Sequence, residues 1–391
     1  MQKRFTGTLI LLYTLPWGLQ CLVQNFMSVY VASLPFATEQ NVGNVMAFGS
    51  AVIMVSQLVW SRIAYHSRSK FSILTLSFFL LALFSLPFLF VKMNLLLLYI
   101  FVFLFYFCFM VHQPLIDSIA TESADKLVLS FGSVRSFSTF GYALVGLILG
   151  VVGYASSTDI FYYIAVLAFL SAVISMTAPK EAPQKQQEKV HFRFAGLFNK
   201  RYVLFLLYTF FLYAVSSVNV VFFPVYYTDV LGGDIKHLSI MISVECFLEW
   251  GMMLVFGAKI AKTAPRKIFL MIALAAAFRC FAVWFTDNPY LILLTYFGSV
   301  MWFGLQWSSV APYICQIVPK DCNMTAQSIW TLASSGLGAT AGSLIGGVIA
   351  QYLSIRSLFL IATLFMLLLS ALSPVFFPRT NQTVPAAVET E

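Results

Sequence analysis

The chain has 391 residues, 60% of them hydrophobic and only 10% charged, with a formal net charge of +8. A soluble domain carries about 25% charged residues. Forty Phe, eighteen Tyr and seven Trp cannot all be hidden in one water-soluble core of this size, so the solvent implied is lipid. The basic residues form no single face and lie between apolar runs, which argues against a nucleic-acid partner and makes them topology signals.

Taken in chain order, Lys3 and Arg4 precede an apolar run that begins like a signal peptide, but the run continues to about residue 34 and more follow. It therefore reads as a first transmembrane helix. Apolar runs bounded by charge, Pro or Gly predict twelve spans. Six lie near 8–34, 42–64, 71–91, 94–116, 131–154 and 158–178, and six near 202–228, 237–259, 267–286, 289–312, 324–351 and 355–376. The expected fold is an all-α integral membrane protein, with twelve transmembrane helices in two six-helix pseudo-repeats. Its expected parts are an N-terminal bundle (1–178), a cytoplasmic linker (179–201), a C-terminal bundle (202–378) and a cytoplasmic tail (379–391). With the N-terminus inside, 18 of the 23 Lys and Arg fall on the cytoplasmic side and three on the other, while Arg135 and Arg279 lie within spans. That split places both termini in the cytoplasm of a bacterial-type inner membrane.

The halves repeat at an offset of 197 residues. Arg62-Ile63-Ala64 with Lys70 matches Lys259-Ile260-Ala261 with Lys267, Ser138, Gly141 and Gly150 match Ser335, Gly338 and Gly347, and Tyr30 matches Tyr227. Two parallel six-helix repeats with a site between them are a secondary-transporter architecture. Gly146 and Gly150 make one GxxxG, and Gly338, Gly342 and Gly346 make two more. These read as helix-packing surfaces. The six Cys show no CxxC or metal-ligand spacing and read as small packing residues, and neither a metal nor a cofactor is expected.

Ionisable residues well inside apolar spans are few: Arg135, Glu245, Glu249 and Arg279, with Asp117 at the inner end of span 4. Such charges are costly in a bilayer and are functional candidates by default. By depth, Glu249 and Arg279 are expected to meet near mid-membrane, with Glu245 one turn outward on the Glu249 face. Two acids beside one Arg cannot both be comfortably ionised, so one is expected to hold a proton, as coupling requires. The plain alternative is an ion pair that fixes helix register. Asp117 and Arg135 are expected to pair as a site or gate, or as a structural salt bridge.

Trp17, Gln20 and Gln24 share one face of span 1, with Asn25 and Ser28 adjoining. Span 7 adds Ser216, Ser217 and Asn219, and spans 10 and 11 add Trp302, Gln306, Trp307, Gln327 and Trp330. Amides and indoles together suit a sugar or nucleoside, although they also serve as bridges and interfacial anchors. The candidate solute or gate residues are Asp117, Arg135, Gln20, Gln24, Asn219, Gln306 and Trp307. The candidate proton-coupling residues are Glu249, Glu245 and Arg279. His112 reads as a hydrogen-bonded packing residue.

The basic loops RIAYHSRSK and KIAKTAPRK, the long central linker and the six-plus-six spans resemble the major facilitator superfamily over nearly the whole chain. Pro114-Leu115-Ile116-Asp117 and Phe131–Phe137 (FGSVRSF) resemble the branch that holds lactose permease, nucleoside–proton symporters and the phenylpropionate permease. The resemblance implies an acid–Arg pair at Asp117 and Arg135, and carries an acid and an Arg of spans 8 and 9 to Glu249 and Arg279. One departure is that span 10, which in lactose permease holds a His and a Glu for proton coupling, here has Gln306 and Trp307.

The expectation is a monomeric secondary transporter, proton-coupled, symporting a small polar solute of sugar or nucleoside type, with solute, proton and lipid as its partners. A drug or metabolite exporter of the same fold and a transport-dead membrane sensor are the alternatives. An enzyme is not expected, because the four His are scattered and no P-loop is present.

Overall fold

Helices of about 20 residues satisfy their own backbone groups across a hydrocarbon layer, and this chain is built from them. The computed structural model describes residues 2–67, 69–90, 92–123, 127–129, 131–153, 156–178, 197–261, 263–319 and 322–377. The expected tail, and the linker up to residue 196, lie outside the described residues.

Among the described residues, ten helical segments are long and apolar enough to cross a membrane: α1 (Gln2–Ala32), α2 (Glu39–Ala64), α3 (Lys70–Phe90), α4 (Leu95–Glu122), α5 (Ser133–Val152), α6 (Ser157–Met176), α7 (Lys200–Val230), α9 (Pro265–Phe285), α11 (Thr325–Tyr352) and α12 (Ile355–Phe376). Two further helices of comparable length, α8 (Ile235–Ala261) and α10 (Tyr296–Ile317), complete the series. Side chains such as Phe79, Val151, Phe278 and Leu368 point outward and are exposed, as a lipid-facing surface requires.

Two boundaries differ from expectation in ways that move candidate residues. Span 4 does not stop near residue 116. The helix breaks at Met110–Val111, four residues before Pro114, then resumes over His112–Glu122. Pro114 has no N–H to give the carbonyl of residue 110, which is the ordinary cause of such a break. Asp117 therefore lies five residues inside the helix end. Span 10 starts at Tyr296 and not near 289, because Asn288 caps a turn by accepting from the N–H groups of Tyr290 and Leu291.

The packing is two-fold. In the first half α1 contacts α5 and α6, α3 contacts α4 and α6, and α2 contacts α4. In the second half α7 contacts α11 and α12, α9 contacts α10 and α12, and α8 contacts α10. The halves meet where α2 lies on α11, α5 on α8 and α1 on α7. Each half has an aromatic centre. Phe88 stacks on Phe161 at 4.4 Å beside Tyr30 and Phe105, and Phe269 stacks on Phe377 at 4.4 Å beside Tyr208 and Tyr313.

Glycine contacts fix the register of the repeat, and it is not 197. A Cβ on Gly141 would strike the backbone of Thr14, and one on Gly342 would strike the backbone of Ala214. Gly18 meets Val145 as Gly346 meets Val218. Across the seam, Gly146 faces Ser243 and Ser239 as Gly347 faces Gly43 and Glu39. These pairs relate α1 and α2 to α7 and α8 by 200 residues, and α5 to α11 by 201. The 197-residue matches within α1 and α7 and within α5 and α11, Gly141 with Gly338 among them, are coincidences of an apolar alphabet. The repeat itself and the glycine packing surfaces are present.

The same glycines say where the halves are closest. Gly43–Gly347, Gly146–Ser243 and Gly150 against Lys236 and Ile240 all lie toward the end where α2 and α8 begin. At the opposite end, the chain-terminus end, Arg135 is half exposed.

Candidate functional site

The first cluster stands between α1, α4 and α5. The Tyr13 hydroxyl donates to Asp117 Oδ1 at 2.7 Å, and Arg135 reaches the same carboxylate from Nε at 3.2 Å and Nη2 at 3.5 Å. The expected Asp117–Arg135 pair is thus present and partly open to solvent, with side-chain exposures of 28% and 50%. A pair this exposed stabilises little by itself. Trp17 packs on Tyr13 and on the edge of His112. His112 is buried, its Nδ1 against the Phe109 carbonyl at the α4 break, which fits a packing role.

The second cluster is the buried Arg279. Its Nε donates to Asn219 Oδ1 at 3.0 Å and its Nη1 to the Ser299 hydroxyl. Its guanidinium carbon lies 4.2 Å from the Tyr296 ring centroid and 5.1 Å from that of Phe223. Glu245 of α8 stands near both Ser299 and Arg279, close enough for its carboxyl to feel the Arg279 charge. Glu249 has Glu245 as its charged neighbour and lies against Gly304 of α10.

The groups bonded to Arg279 are Asn219 and Ser299 and not the expected Glu249, and Glu245 is the acid that feels its charge. The cause is depth. α9 ends at Phe285, six residues beyond Arg279, whereas α8 begins ten residues before Glu245 and fourteen before Glu249. At about 1.5 Å per residue, Glu245 is the acid nearer the level of Arg279.

Between the clusters lies a polar seam. Asn25 Nδ2 donates to Tyr142 Oη at 2.7 Å, and the Tyr142 hydroxyl reaches Gln24 Oε1 at 3.4 Å. In the second half, Gln306 is buried and accepts from Trp302 Nε1 at 3.1 Å, with Tyr213 nearby. Trp330 packs edge-on between Tyr213 and the exposed Trp307. Several buried polar atoms here have no partner: Gln20 Oε1, Glu245 Oε1, Gln306 Nε2 and Trp330 Nε1. A native interior leaves few such groups, and each asks for a reason.

Tyr13, Tyr142, Tyr213, Ser299 and Tyr296 were not among the expected site residues. Two of them were within reach of spacing. Tyr13 precedes Trp17, Gln20 and Gln24 at four residues on the same face, and Ser299 precedes Trp302 and Gln306 at three and seven. Tyr13 and Tyr213 are related by the 200-residue repeat, which the 197 offset concealed. Among the described residues, no three His, Cys, Asp or Glu side chains converge as a metal site requires.

Comparison with known proteins agrees with this architecture. The model of the MFS_1 like family matches residues 8–361. The chain is 23% identical over 348 residues to an uncharacterized transporter, YwbF, of Bacillus subtilis (strain 168), covering 86% of this chain and 84% of that one. It is also 23% identical over 347 residues to a maltose permease of Geobacillus stearothermophilus, covering 85% of each. Among solved structures, the nucleoside transporter NupG superposes with a TM-score of 0.83 at 15% identity, over 96% of this chain and 100% of that one. A bacterial homolog of the human lysosomal transporter Spinster, in an inward-facing and occupied conformation, superposes with a TM-score of 0.75 at 13% identity, over 95% of this chain and 96% of that one. With twelve helices paired in two equivalent halves and a family match along nearly its whole length, the chain belongs to the MFS_1 like family and is a multi-pass membrane transporter of the major facilitator type.

Proposed function

We propose that the chain is a proton-coupled symporter that carries a small polar solute of the sugar or nucleoside type by alternating access. One observation carries the reading. Glu245 stands within reach of the Arg279 charge while its Oε1 is buried with no partner. A buried carboxylate that is only half satisfied is unfavourable. A proton, a donor group of the solute, or a donor from the other bundle would each relieve it, and these are the three things a symport cycle exchanges. Glu245 thus takes the leading place among the coupling residues, with Glu249 as its neighbour and Arg279 as the fixed counter-charge. Gln20, Gln24, Asn219 and Gln306 supply the amides around the solute, Trp307 flanks Trp330, and Asp117 with Arg135 gates the chain-terminus end. The maltose permease and the nucleoside transporter among the relatives support the solute class.

The working unit in this reading is a monomer in the bacterial inner membrane, with bundles at 1–178 and 202–378, and with the linker 179–201 and both termini in the cytoplasm. The basic split of 18 to 3 supports that orientation. The test is uptake of labelled maltose and labelled uridine by vesicles holding the purified protein, with an imposed pH gradient. One of the two should accumulate above equilibrium, and a protonophore should abolish the accumulation. Accumulation that ignores the gradient would refute proton coupling, and failure of both solutes to enter or exchange would refute the solute class.

A further inference from the structure

Glu245, with its unpartnered oxygen, stands on α8, which packs along α5 of the other half of the protein. α5 and α8 run antiparallel along the seam. Gly150 lies against Lys236 and Ile240, and one turn further in Gly146 lies against Ser239 and Ser243. The next turn of α5 carries Tyr142, and the same register brings it opposite residues 243–247 of α8. The electrostatics agree: Tyr142 and Cys21 both feel the charge of Glu245, and Tyr142 feels Cys246. Glu245 thus stands between two sets of groups. On its own helix are Cys246 and Glu249, on α9 Arg279, and on α10 Ser299 and Tyr296. Across the seam are Cys21 of α1 and Tyr142 of α5.

Tyr142 is a donor with poor employment. Its oxygen is well held by Asn25 Nδ2 at 2.7 Å, but its own hydroxyl proton reaches only Gln24 Oε1, at 3.4 Å. A hydroxyl-to-carboxylate bond is ordinarily 2.5–2.7 Å and roughly twice as strong as a neutral one. A donor with a long bond and an acceptor with none therefore stand on the two helices that meet along the line where the bundles must part.

We propose that Tyr142 and Glu245 form a proton-sensitive clasp between the bundles. When Glu245 is ionised, the Tyr142 hydroxyl turns from Gln24 to Glu245 Oε1 and holds α5 to α8. When Glu245 takes a proton from the water-filled side of the protein, its attraction for that hydroxyl is lost. Tyr142 returns to Gln24 and Asn25, on the α1 face that carries the candidate solute amides, and the seam is free to open. Release of the proton to water reverses both changes. Tyr142 is thus a positioning residue, which reports the state of a carboxyl in one bundle to the solute face of the other. The proposal rests on the proton-coupled reading and adds the partner through which that coupling crosses the seam.

The test uses the whole purified protein in detergent and no solute, so it answers even if neither maltose nor uridine is carried. Thermal unfolding midpoints are followed from pH 5 to 9 for the wild type, Tyr142→Phe, Glu245→Gln and the double variant. The clasp predicts that Glu245→Gln removes a step from the pH profile. Tyr142→Phe moves the same step upward by about one pH unit, because a donor that favours the charged carboxyl is gone. In the Glu245→Gln background, Tyr142→Phe changes the profile no further. A Tyr142→Phe effect equal in both backgrounds would overturn the proposal, as would an unshifted step. If Tyr142→Phe does not fold, Asn25→Ala tests the idea from the other side. Freeing the phenol from its amide should move the step downward, and a profile identical to wild type would again overturn the clasp.

Discussion

The contact that closes one end of the transporter is open to a direct test at Gly43. α2 and α11 touch there through glycine, and a methyl group on Gly43 would lie 2.8 Å from the Gly347 Cα while pressing on the Ser343 carbonyl. Ordinary van der Waals contact begins near 3.4 Å, so the helices must separate by more than half an ångström. Both obstacles are backbone, and no rotamer change relieves them. Overpacking of this kind costs about 1–3 kcal/mol, all of it charged to the conformation in which the seam is shut. A coupling energy of that size moves a two-state equilibrium about 5- to 150-fold. Gly43→Ala should therefore populate the state open at this end, while leaving contacts within each bundle untouched. The assay is pulsed electron paramagnetic resonance between spin labels at positions 37 and 352, in a background freed of native cysteines. A second, longer distance should appear in Gly43→Ala and grow in Gly43→Val. Identical distance distributions in wild type and both variants would refute the argument that the glycine contacts set the closure.

Three further outcomes follow from the site. Arg279→Lys should abolish transport despite keeping the charge, because an ammonium cannot serve Asn219 and Ser299 together while lying on the Tyr296 face; wild-type initial uptake rates in vesicles would refute it. Neutralising either Asp117 or Arg135 should stop uptake with protein still present in the membrane. Exchanging the two charges should not restore it, since Tyr13 is bonded to the acid at its present position; full uptake by the exchanged variant would reduce the pair to a structural salt bridge. Reporter fusions after Arg201 and Arg379 should read cytoplasm, and those near Asp159 and Asp287 the outside; an external signal from the linker would overturn the proposed orientation.

Much of the site was legible because membranes penalise charge. Arg135, Glu245, Glu249 and Arg279 stood out against an apolar background, and Asp117 followed from its neighbouring Pro. What the residues could not disclose was which acid meets which base. That depended on a helix end at Phe285 and a break at Met110–Val111, differences of a few residues that move a side chain by a turn. Tyr142 went unseen because Tyr is common within membrane helices and is marked only by the partner it reaches, whereas Tyr13 and Ser299 share a helix face with residues that were singled out.

The sequence by itself determined that this is a helical membrane protein of two similar halves, since hydropathy, basic asymmetry and span count are local properties summed along the chain. Only the tertiary structure decided the register between the halves. Small residues recur often enough to match at several offsets, and packing selects one: Gly141 on Thr14, Gly342 on Ala214, Gly146 and Gly347 on the seam. The same packing decided that Glu245, and not Glu249, is the acid nearer to Arg279, because contact between helices is set by depth and rotation together, and a sequence supplies depth only to within about a turn.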